Sequence, residues 1–261
     1  AENGHLPVVK WLHAYRSEGC SIEAMDRAAT SGHLSVVEWL HANRSEGCTK
    51  RAMDRAASRG HLAVVKWLHR NRTEGCTVAA LDRAAANNQL PVVEWLHHNR
   101  TEGCTIDAMN KAAGAGHLSV VKWLHANRSE GCTTWAMDRA ATNGHLVMVE
   151  WLHNNRSEGC TTLAMDRAAT NGHLAVVRWL HFQRSEGCTR GAATSKHQSV
   201  VKWLHSHCPE TSAPPPNETE ARKENALWFA AGLVCLGLVI CFLHQSKAHR
   251  SWPMNIIFPH V

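Results

Sequence analysis

Residues 21–48 read SIEAMDRAATSGHLSVVEWLHANRSEGC, and variants of this unit follow one another along most of the chain. The tripeptide Trp-Leu-His marks each copy, and its spacing is 28 residues six times and then 24. The copies start at Trp11, Trp39, Trp67, Trp95, Trp123, Trp151, Trp179 and Trp203. Self-similarity at a fixed period predicts a stack of repeats, since no single unit of this length can bury its own apolar face.

Each unit carries two helix signatures. A Ser or Thr that can cap a helix start opens the first half, and a Gly or Asn that tolerates positive φ closes it. The opening residues are Ser21, Thr49, Thr77, Thr105, Thr133 and Thr161, and the closing ones are Gly32, Gly60, Asn88, Gly116, Gly144 and Gly172. The second half has Val36, Val37 and Leu40 at helical spacing, and two copies carry Pro7 or Pro91 where a first helical turn accepts proline. We therefore predict helix, tight turn, helix and loop in every unit.

Composition excludes two other classes of protein. The chain has 261 residues, of which 44% are apolar and 19% charged, and this rules out a disordered chain. Its 10 cysteines are too sparse for a small disulfide scaffold. The 11 tryptophans and 20 histidines come mainly from copies of the repeat, so their excess reflects repetition.

Residues 28–40, AATSGHLSVVEWL, resemble the second half of an ankyrin repeat, and the resemblance extends over roughly residues 1–208. The ankyrin period is about 33 residues, and its Thr-Pro-Leu-His turn appears here as the Glu-Ala-Met-Asp of residues 23–26. The resemblance implies an all-α, right-handed α-solenoid of stacked helix-turn-helix repeats that binds proteins and has no enzymatic activity. Because five residues per unit are missing, we expect a plain two-helix repeat without the protruding hairpin of ankyrin proteins.

Four segments are predicted along the chain. Residues 1–208 form the repeat array of about eight units, of which the first and last are incomplete, and residues 209–225 form a Pro- and Glu-rich linker. Residues 226–243 are free of charged side chains and predict a single transmembrane helix, with an apolar helix that caps the array as the alternative. Residues 244–261 form a short polar and aromatic tail.

The loop cysteines, Cys20 and its equivalents, bear on localisation. Stacked repeats would hold neighbouring copies about 10 Å apart, which is beyond the reach of a disulfide, and free thiols favour a reducing compartment. We therefore expect a single-pass membrane protein whose repeats face the cytosol. The sequence starts in mid-repeat, so we also expect a fragment; the alternative function is a regulatory arm of a larger enzyme or channel whose active domain lies upstream.

The first helices carry the candidate binding residues. A helical wheel places Arg27 and Glu23 opposite the apolar Met25, and by resemblance to ankyrin proteins the first helices line the concave, partner-binding surface. The candidate partner-binding residues are Arg27, Arg51, Arg55, Arg83, Asp107, Lys111, Trp135, Arg139, Leu163 and Arg167. A row of positive charge beside a variable row predicts a protein partner of acidic character. The structural alternative is that Asp26 and its equivalents pair sideways with these arginines.

The second helices are expected to serve packing. Trp39 should contact the residue equivalent to His41 in the next unit. An outward row alternates in charge until its last step and predicts ion pairs between repeats. Its members are Lys10, Glu38, Lys66, Glu94, Lys122, Glu150, Arg178 and Lys202.

Several chemistries lack a signature in the sequence. The repeated His and Cys have no chelating spacing, and no phosphate loop, nucleophile elbow or unique nucleophile occurs. We predict no catalytic residue, no metal, no cofactor and no small-molecule substrate. The net charge of +6 is modest, and basic and aromatic residues do not interleave along one face except around Trp135, which argues against nucleic acid.

Overall fold

The computed structural model describes residues 1–208, and within them the chain forms fourteen α-helices, one 3₁₀ helix and no strand. The first helices of successive repeats are α2 (Glu23–Thr30), α4 (Lys50–Ser58), α6 (Val78–Ala86), α8 (Ile106–Gly114), α10 (Thr134–Thr142) and α12 (Thr162–Thr170). The second helices are α1 (Leu6–Tyr15), α3 (Leu34–Asn43), α5 (Leu62–Asn71), α7 (Leu90–Asn99), α9 (Leu118–Asn127), α11 (Leu146–Asn155), α13 (Leu174–Gln183) and α14 (Gln198–His207). The predicted all-α array of two-helix repeats is confirmed.

The ends of the first helices follow the predicted signals. The Thr49 hydroxyl accepts a hydrogen bond from the Arg51 backbone N–H at 3.1 Å, and the equivalent threonine caps each later first helix. Ser21 differs, because α2 begins after Ile22 and has no side-chain cap. At the other end Gly32 has a φ of +77°, and Asn88, which replaces glycine in its unit, has a φ of +61°. Both lie in the left-handed region that ends a helix.

Five of the eight second helices in residues 1–208 end on an asparagine whose side-chain amide binds a backbone carbonyl of the last turn. The Asn43 Nδ2 donates to the Trp39 carbonyl oxygen at 2.8 Å, and the Arg44 backbone N–H donates to the Leu40 carbonyl oxygen at 2.8 Å. Asn71, Asn99, Asn127 and Asn155 repeat the first contact. These bonds satisfy carbonyl groups that have no partner within the last turn of a helix.

One continuous core runs between the two layers of helices. Met25, Ala28 and Ala29 of α2 pack with Val36 and Val37 of α3, all of them buried, and the pattern recurs through the array. Alanine at the buried positions of the first helices lets these helices approach closely, whereas the second helices are held apart by larger side chains. The exposed surface of the first helices is therefore built on a closely spaced, regular frame.

The aromatic contacts between repeats run opposite to the predicted direction. The Trp39 ring meets His13 of the preceding unit, with ring centroids 5.1 Å apart and edge-to-face geometry, and not the histidine of the following unit. The same contact joins His41 to Trp67 and each later pair. The pairing was predicted correctly, but its direction depends on the offset between neighbouring second helices, which a single helical wheel does not contain.

The outward row of the second helices also differs from the prediction. Among residues 1–208, none of the alternating charges from Lys10 to Lys202 forms an ion pair with its neighbour in the row. Exposed ion pairs contribute only about 0–1 kcal/mol, so side chains in this position gain little by giving up water and rotamer freedom.

The last repeat is degenerate, as its shortened sequence predicts. A 3₁₀ helix at Arg190–Thr194 takes the place of the first helix, and α14 follows it. No helix in the described part of the chain is long and apolar enough to cross a membrane. The predicted linker 209–225, transmembrane helix 226–243 and tail 244–261 all lie outside the described residues and stay predictions.

Candidate protein-binding face

The exposed side chains of α2, α4, α6, α8, α10 and α12 form one surface, which we call the first-helix face. It contains two rows of side chains. The basic row, one residue per repeat, consists of Arg27, Arg55, Arg83, Lys111, Arg139 and Arg167, all exposed. The variable row, one helical turn earlier, consists of Glu23, Arg51, Ala79, Asp107, Trp135 and Leu163. The structure thus brings all ten predicted binding residues to one surface, where only Asp107 is half-buried.

At two positions the basic row is neutralised by the chain itself. Arg27 forms ion pairs with Glu23 at 2.9 Å and with Glu2 at 3.0 Å, and hydrogen bonds to Glu2 and Glu23 raise its pKa. Lys111 pairs with Asp107 at 2.8 Å. Because Arg27 and Lys111 already form ion pairs within the chain, they attract an acidic partner less strongly than unpaired cations would.

The cations between these two positions form no such ion pair. In residues 1–208 the side chains of Arg51, Arg55 and Arg83 form no ion pair or hydrogen bond. They line an open groove of about 660 Å³ between α4 and α6, together with Lys50, the small side chain of Ala79 and the buried Asp54, so four cations meet one carboxylate there. The groove therefore concentrates positive charge in a part of the face that is open to solvent.

Trp135, the aromatic residue of the variable row, is held in place by Arg139. The Arg139 guanidinium lies 4.2 Å from the centroid of the Trp135 ring, both on α10. A cation over an indole face is attracted by about 0.5–1 kcal/mol at an exposed site, and this contact limits the motion of both side chains. Leu163 occupies the next position in the row and is also exposed.

The repeats of this chain match a known protein family. A family model described as ankyrin repeats, in many copies, matches residues 1–41, 25–69, 81–125 and 137–181, which together make up more than half of the chain. The chain belongs to the ankyrin repeat family. No curated protein matches its sequence. Ankyrin repeats form interaction scaffolds and are generally non-enzymatic, so membership indicates protein-protein binding.

The acidic residues beneath the basic row of the ankyrin array do not pair with it. Asp54 is buried, and its Oδ1 accepts from the Thr77 backbone N–H at 2.8 Å while its Oδ2 accepts from the Thr77 hydroxyl at 2.8 Å. The equivalent bonds join Asp26 to Thr49, Asp82 to Thr105, Asp138 to Thr161 and Asp166 to Thr189. Burial raises the pKa of Asp82. The alternative in which these aspartates pair sideways with arginines is therefore wrong, because their oxygens serve the next repeat.

Sequence reasoning missed Lys50 as a member of the ankyrin face. It is exposed at the first position of α4 and lines the groove beside Arg51. The signal was present, because the equivalent position holds Ile22, Val78 or Ile106 in other units, and only this unit places two basic residues in succession at the helix start.

The loops of the ankyrin array hold a second set of charged groups, which serve packing. Arg72 pairs with Glu74 of the same loop, both half-buried, and its Nη1 lies 3.4 Å from the His41 Nδ1 of the preceding repeat. The hydrogen bond from Arg72 lowers the pKa of Glu74. Burial raises the pKa of the neighbouring Cys48 thiol to about 11, so the thiolate is disfavoured and the group is a poor nucleophile. Within residues 1–208 no group of three His, Cys, Asp or Glu side chains could hold a metal ion.

An apolar pocket of about 360 Å³ lies at α1 and is lined by Val9, Leu12 and Trp39, among others. In the next repeat the positions equivalent to Val9 and Leu12 are Val37 and Leu40, which are buried in the core of the ankyrin array. Because core positions form this pocket, we attribute it to repeat packing and not to ligand binding.

Proposed function

We propose that this ankyrin array is a non-enzymatic scaffold that binds an acidic protein partner through the first-helix face. The main support is the groove between α4 and α6, where the exposed Arg51, Arg55 and Arg83 form no ion pair with any described residue. Uncompensated cations repel one another, and an acidic partner would relieve that repulsion.

Two features of the array support this choice of face. The variable row changes chemistry from repeat to repeat while the buried core stays nearly constant, as expected of a surface that distinguishes partners. The first helices also pack more closely than the second helices, which favours a concave first-helix side of the array.

Charge reversal tests the proposal. Proximity labelling in cells would compare the full chain with the R55E/R83E variant and with a matched K10E/K122E variant, whose changes lie on the exposed outer row of the second helices. We expect a set of proteins that the K10E/K122E variant retains and the R55E/R83E variant loses, with helical circular dichroism unchanged in both. Identical sets for all three proteins would refute a role for the first-helix face.

We further propose that residues 226–243 anchor the scaffold in a membrane, with the array on the cytosolic side. Support comes from the sequence alone, in which this stretch of apolar residues carries no charge. Carbonate extraction and protease protection of the full chain test the anchor, with the L236R/V239R variant as control. We expect the unaltered chain to stay in the membrane fraction with a digestible array. Extraction of both proteins would refute the anchor, and a protected array would refute the orientation.

A further inference from the structure

We propose that the first-helix face has two subsites and reads one extended peptide of the partner. A basic subsite of Lys50, Arg51, Arg55 and Arg83 binds a cluster of carboxylates. An apolar subsite of Trp135 and Leu163, three repeats further along, binds a large apolar side chain of the same peptide. This inference rests on the proposed function, because it assumes that the first-helix face binds a protein.

The basic subsite is limited on both sides by charges that the chain supplies. On one side Glu23 and Glu2 neutralise Arg27, and on the other side Asp107 neutralises Lys111. An acidic cluster that extended past α6 would meet the Asp107 carboxylate. The subsite therefore has the width of two repeats, with its helices about 10 Å apart, and fits two or three carboxylates. Guanidinium groups suit such ligands because they bind a carboxylate through two parallel hydrogen bonds.

The apolar subsite combines exposure with order. Trp135 is 41% exposed and Leu163 is 47% exposed, although both are large apolar side chains in helices whose other apolar residues are mostly buried. Arg139 covers one side of the Trp135 ring, so the indole loses little freedom when a partner packs on its open surface. Ordered aromatic side chains of this kind dominate the binding energy of many interfaces.

The distance between the subsites sets the length of the peptide. The middle of the basic subsite lies between α4 and α6, and the middle of the apolar subsite lies between α10 and α12, three repeats away. At about 10 Å per repeat the separation is about 30 Å. An extended chain covers about 3.3 Å per residue, so about nine residues separate the acidic cluster from the apolar side chain. The residues between them pass the neutralised Asp107 and Lys111 and should be uncharged.

The same pattern makes a peptide a better fit than a nucleic acid. A single-stranded nucleic acid carries a phosphate at every step, and its affinity depends on cations along the whole length of its contact. On this face the cations are concentrated at Lys50, Arg51, Arg55 and Arg83, whereas Lys111 is neutralised by Asp107, and Arg139 and Arg167 are single cations beside Trp135 and Leu163. A polyanion would therefore find most of its cations at the basic subsite and few beyond it.

Selection from a display library of random 16-residue peptides against the full chain tests the inference. We expect enriched peptides with two or three Asp or Glu about nine residues from an aromatic residue or Leu. In fluorescence anisotropy, R55E/R83E and W135A/L163A should each weaken a selected peptide at least about 30-fold, and K10E/K122E less than about 2-fold. A peptide shortened by five residues between the two groups should lose about 10-fold in affinity.

The outcomes separate this inference from the proposed function. Selected peptides that lose affinity with R55E/R83E but not with W135A/L163A, or that tolerate the shortened spacing, overturn the two-subsite arrangement and leave the first-helix face as the binding surface. Selected peptides that tolerate both variants overturn both proposals, as does a selection that enriches no motif. A 16-nucleotide single-stranded RNA that binds more tightly than any selected peptide, and depends on Arg55 and Arg83, overturns the peptide as the ligand.

Discussion

Replacement of Asp54 by alanine is the sharpest test of how the repeats are held together. Asp54 is 6% exposed, and both of its carboxylate oxygens accept hydrogen bonds from Thr77, the first residue of the next repeat. The Thr77 hydroxyl in turn accepts from the Ala79 backbone N–H at 3.1 Å, so the same bonds orient the cap of α6. Alanine removes both acceptors and leaves the Thr77 donors half-buried without them.

The expected loss follows from these bonds. A hydrogen bond to a charged group contributes about 1.5–3 kcal/mol, and Asp54 receives two. Because Thr77 is only half-buried, water can replace part of what is lost, and we expect Asp54→Ala to lower the free energy of unfolding by about 2–4 kcal/mol.

The chain supplies its own control for this change. Asn110 occupies the equivalent position, accepting from the Thr133 backbone N–H at 3.0 Å and donating to the Thr133 hydroxyl at 3.1 Å. The Thr133 hydroxyl therefore accepts two hydrogen bonds, one from the Asn110 amide and one from the Trp135 backbone N–H. The second bond is 3.3 Å long, compared with 3.1 Å for the equivalent bond between Thr77 and Ala79. Asp54→Asn keeps two hydrogen bonds but loses the charge, so we expect a loss of about 1 kcal/mol.

Urea unfolding of the full chain by circular dichroism measures these differences. Hydrogen exchange at the Thr77 amide reports the same contact locally, which matters because repeat arrays can unfold in parts. We expect the order wild type, Asp54→Asn, Asp54→Ala in both measurements. Equal effects of the two substitutions, or a loss below about 1 kcal/mol for alanine, would show that these hydrogen bonds do not hold the repeats together.

Gly144, Glu102 and Cys76 lie in turns and loops, where each makes a contact or has a pKa that one measurement can test. In thermal unfolding, Gly144→Ala should lower stability more than Gly187→Ala. Both residues have positive φ, but only at Gly144 would the added Cβ lie 2.5 Å from the histidine ring of the next repeat. Equal losses of stability would mean that positive φ alone causes the effect. The hydrogen bond from Arg100 lowers the pKa of Glu102 to about 2, so the stability from this pair is present above its ordinary value near 4.5 and is lost as the pH falls toward 2. The Arg100→Gln variant should therefore lose less melting temperature over that range than the wild type, and parallel curves would contradict the assignment. Burial raises the pKa of the Cys76 thiol from an ordinary 9.0 to about 12, so alkylation of Cys76 at pH 8, followed by peptide mass spectrometry, should be about 1,000-fold slower in the folded chain than in urea. Comparable rates would show an accessible thiolate.

The elements of the fold could be predicted from the sequence because their signals are local. Helix starts such as Thr49, helix ends such as Gly32 and Asn88, and the buried side chains of each unit depend on residues within one 28-residue period. Contacts between units were predicted less well. The direction of the Trp39 contact and the partner of Asp26 both depend on the offset between neighbouring repeats, and periodicity within one unit carries no information about that offset.

At the candidate site, too, features set within one helix could be predicted, and features set by other parts of the chain could not. That Arg55 and its equivalents share one exposed surface follows from the helical wheel. The net charge of this surface cannot be derived from the helical wheel. Arg27 is neutralised partly by Glu2, which lies outside its own helix, whereas Arg55 forms no ion pair with any described residue. Counting basic residues by row therefore overestimates the positive charge at one end of the face and underestimates its concentration near Lys50.

The hydrogen bonds from Asp26, Asp54 and Asp82 to the following unit make successive junctions nearly interchangeable. Each internal unit contacts the preceding unit and the following unit through the same kinds of atoms. If one whole unit were lost or duplicated, the surfaces brought together would therefore already match. Recombination between copies of such a gene could then change the length of the array without rebuilding its interior. Each event would instead shift the order of side chains on the outer surface, so new binding specificities could arise by reshuffling before any single residue is substituted.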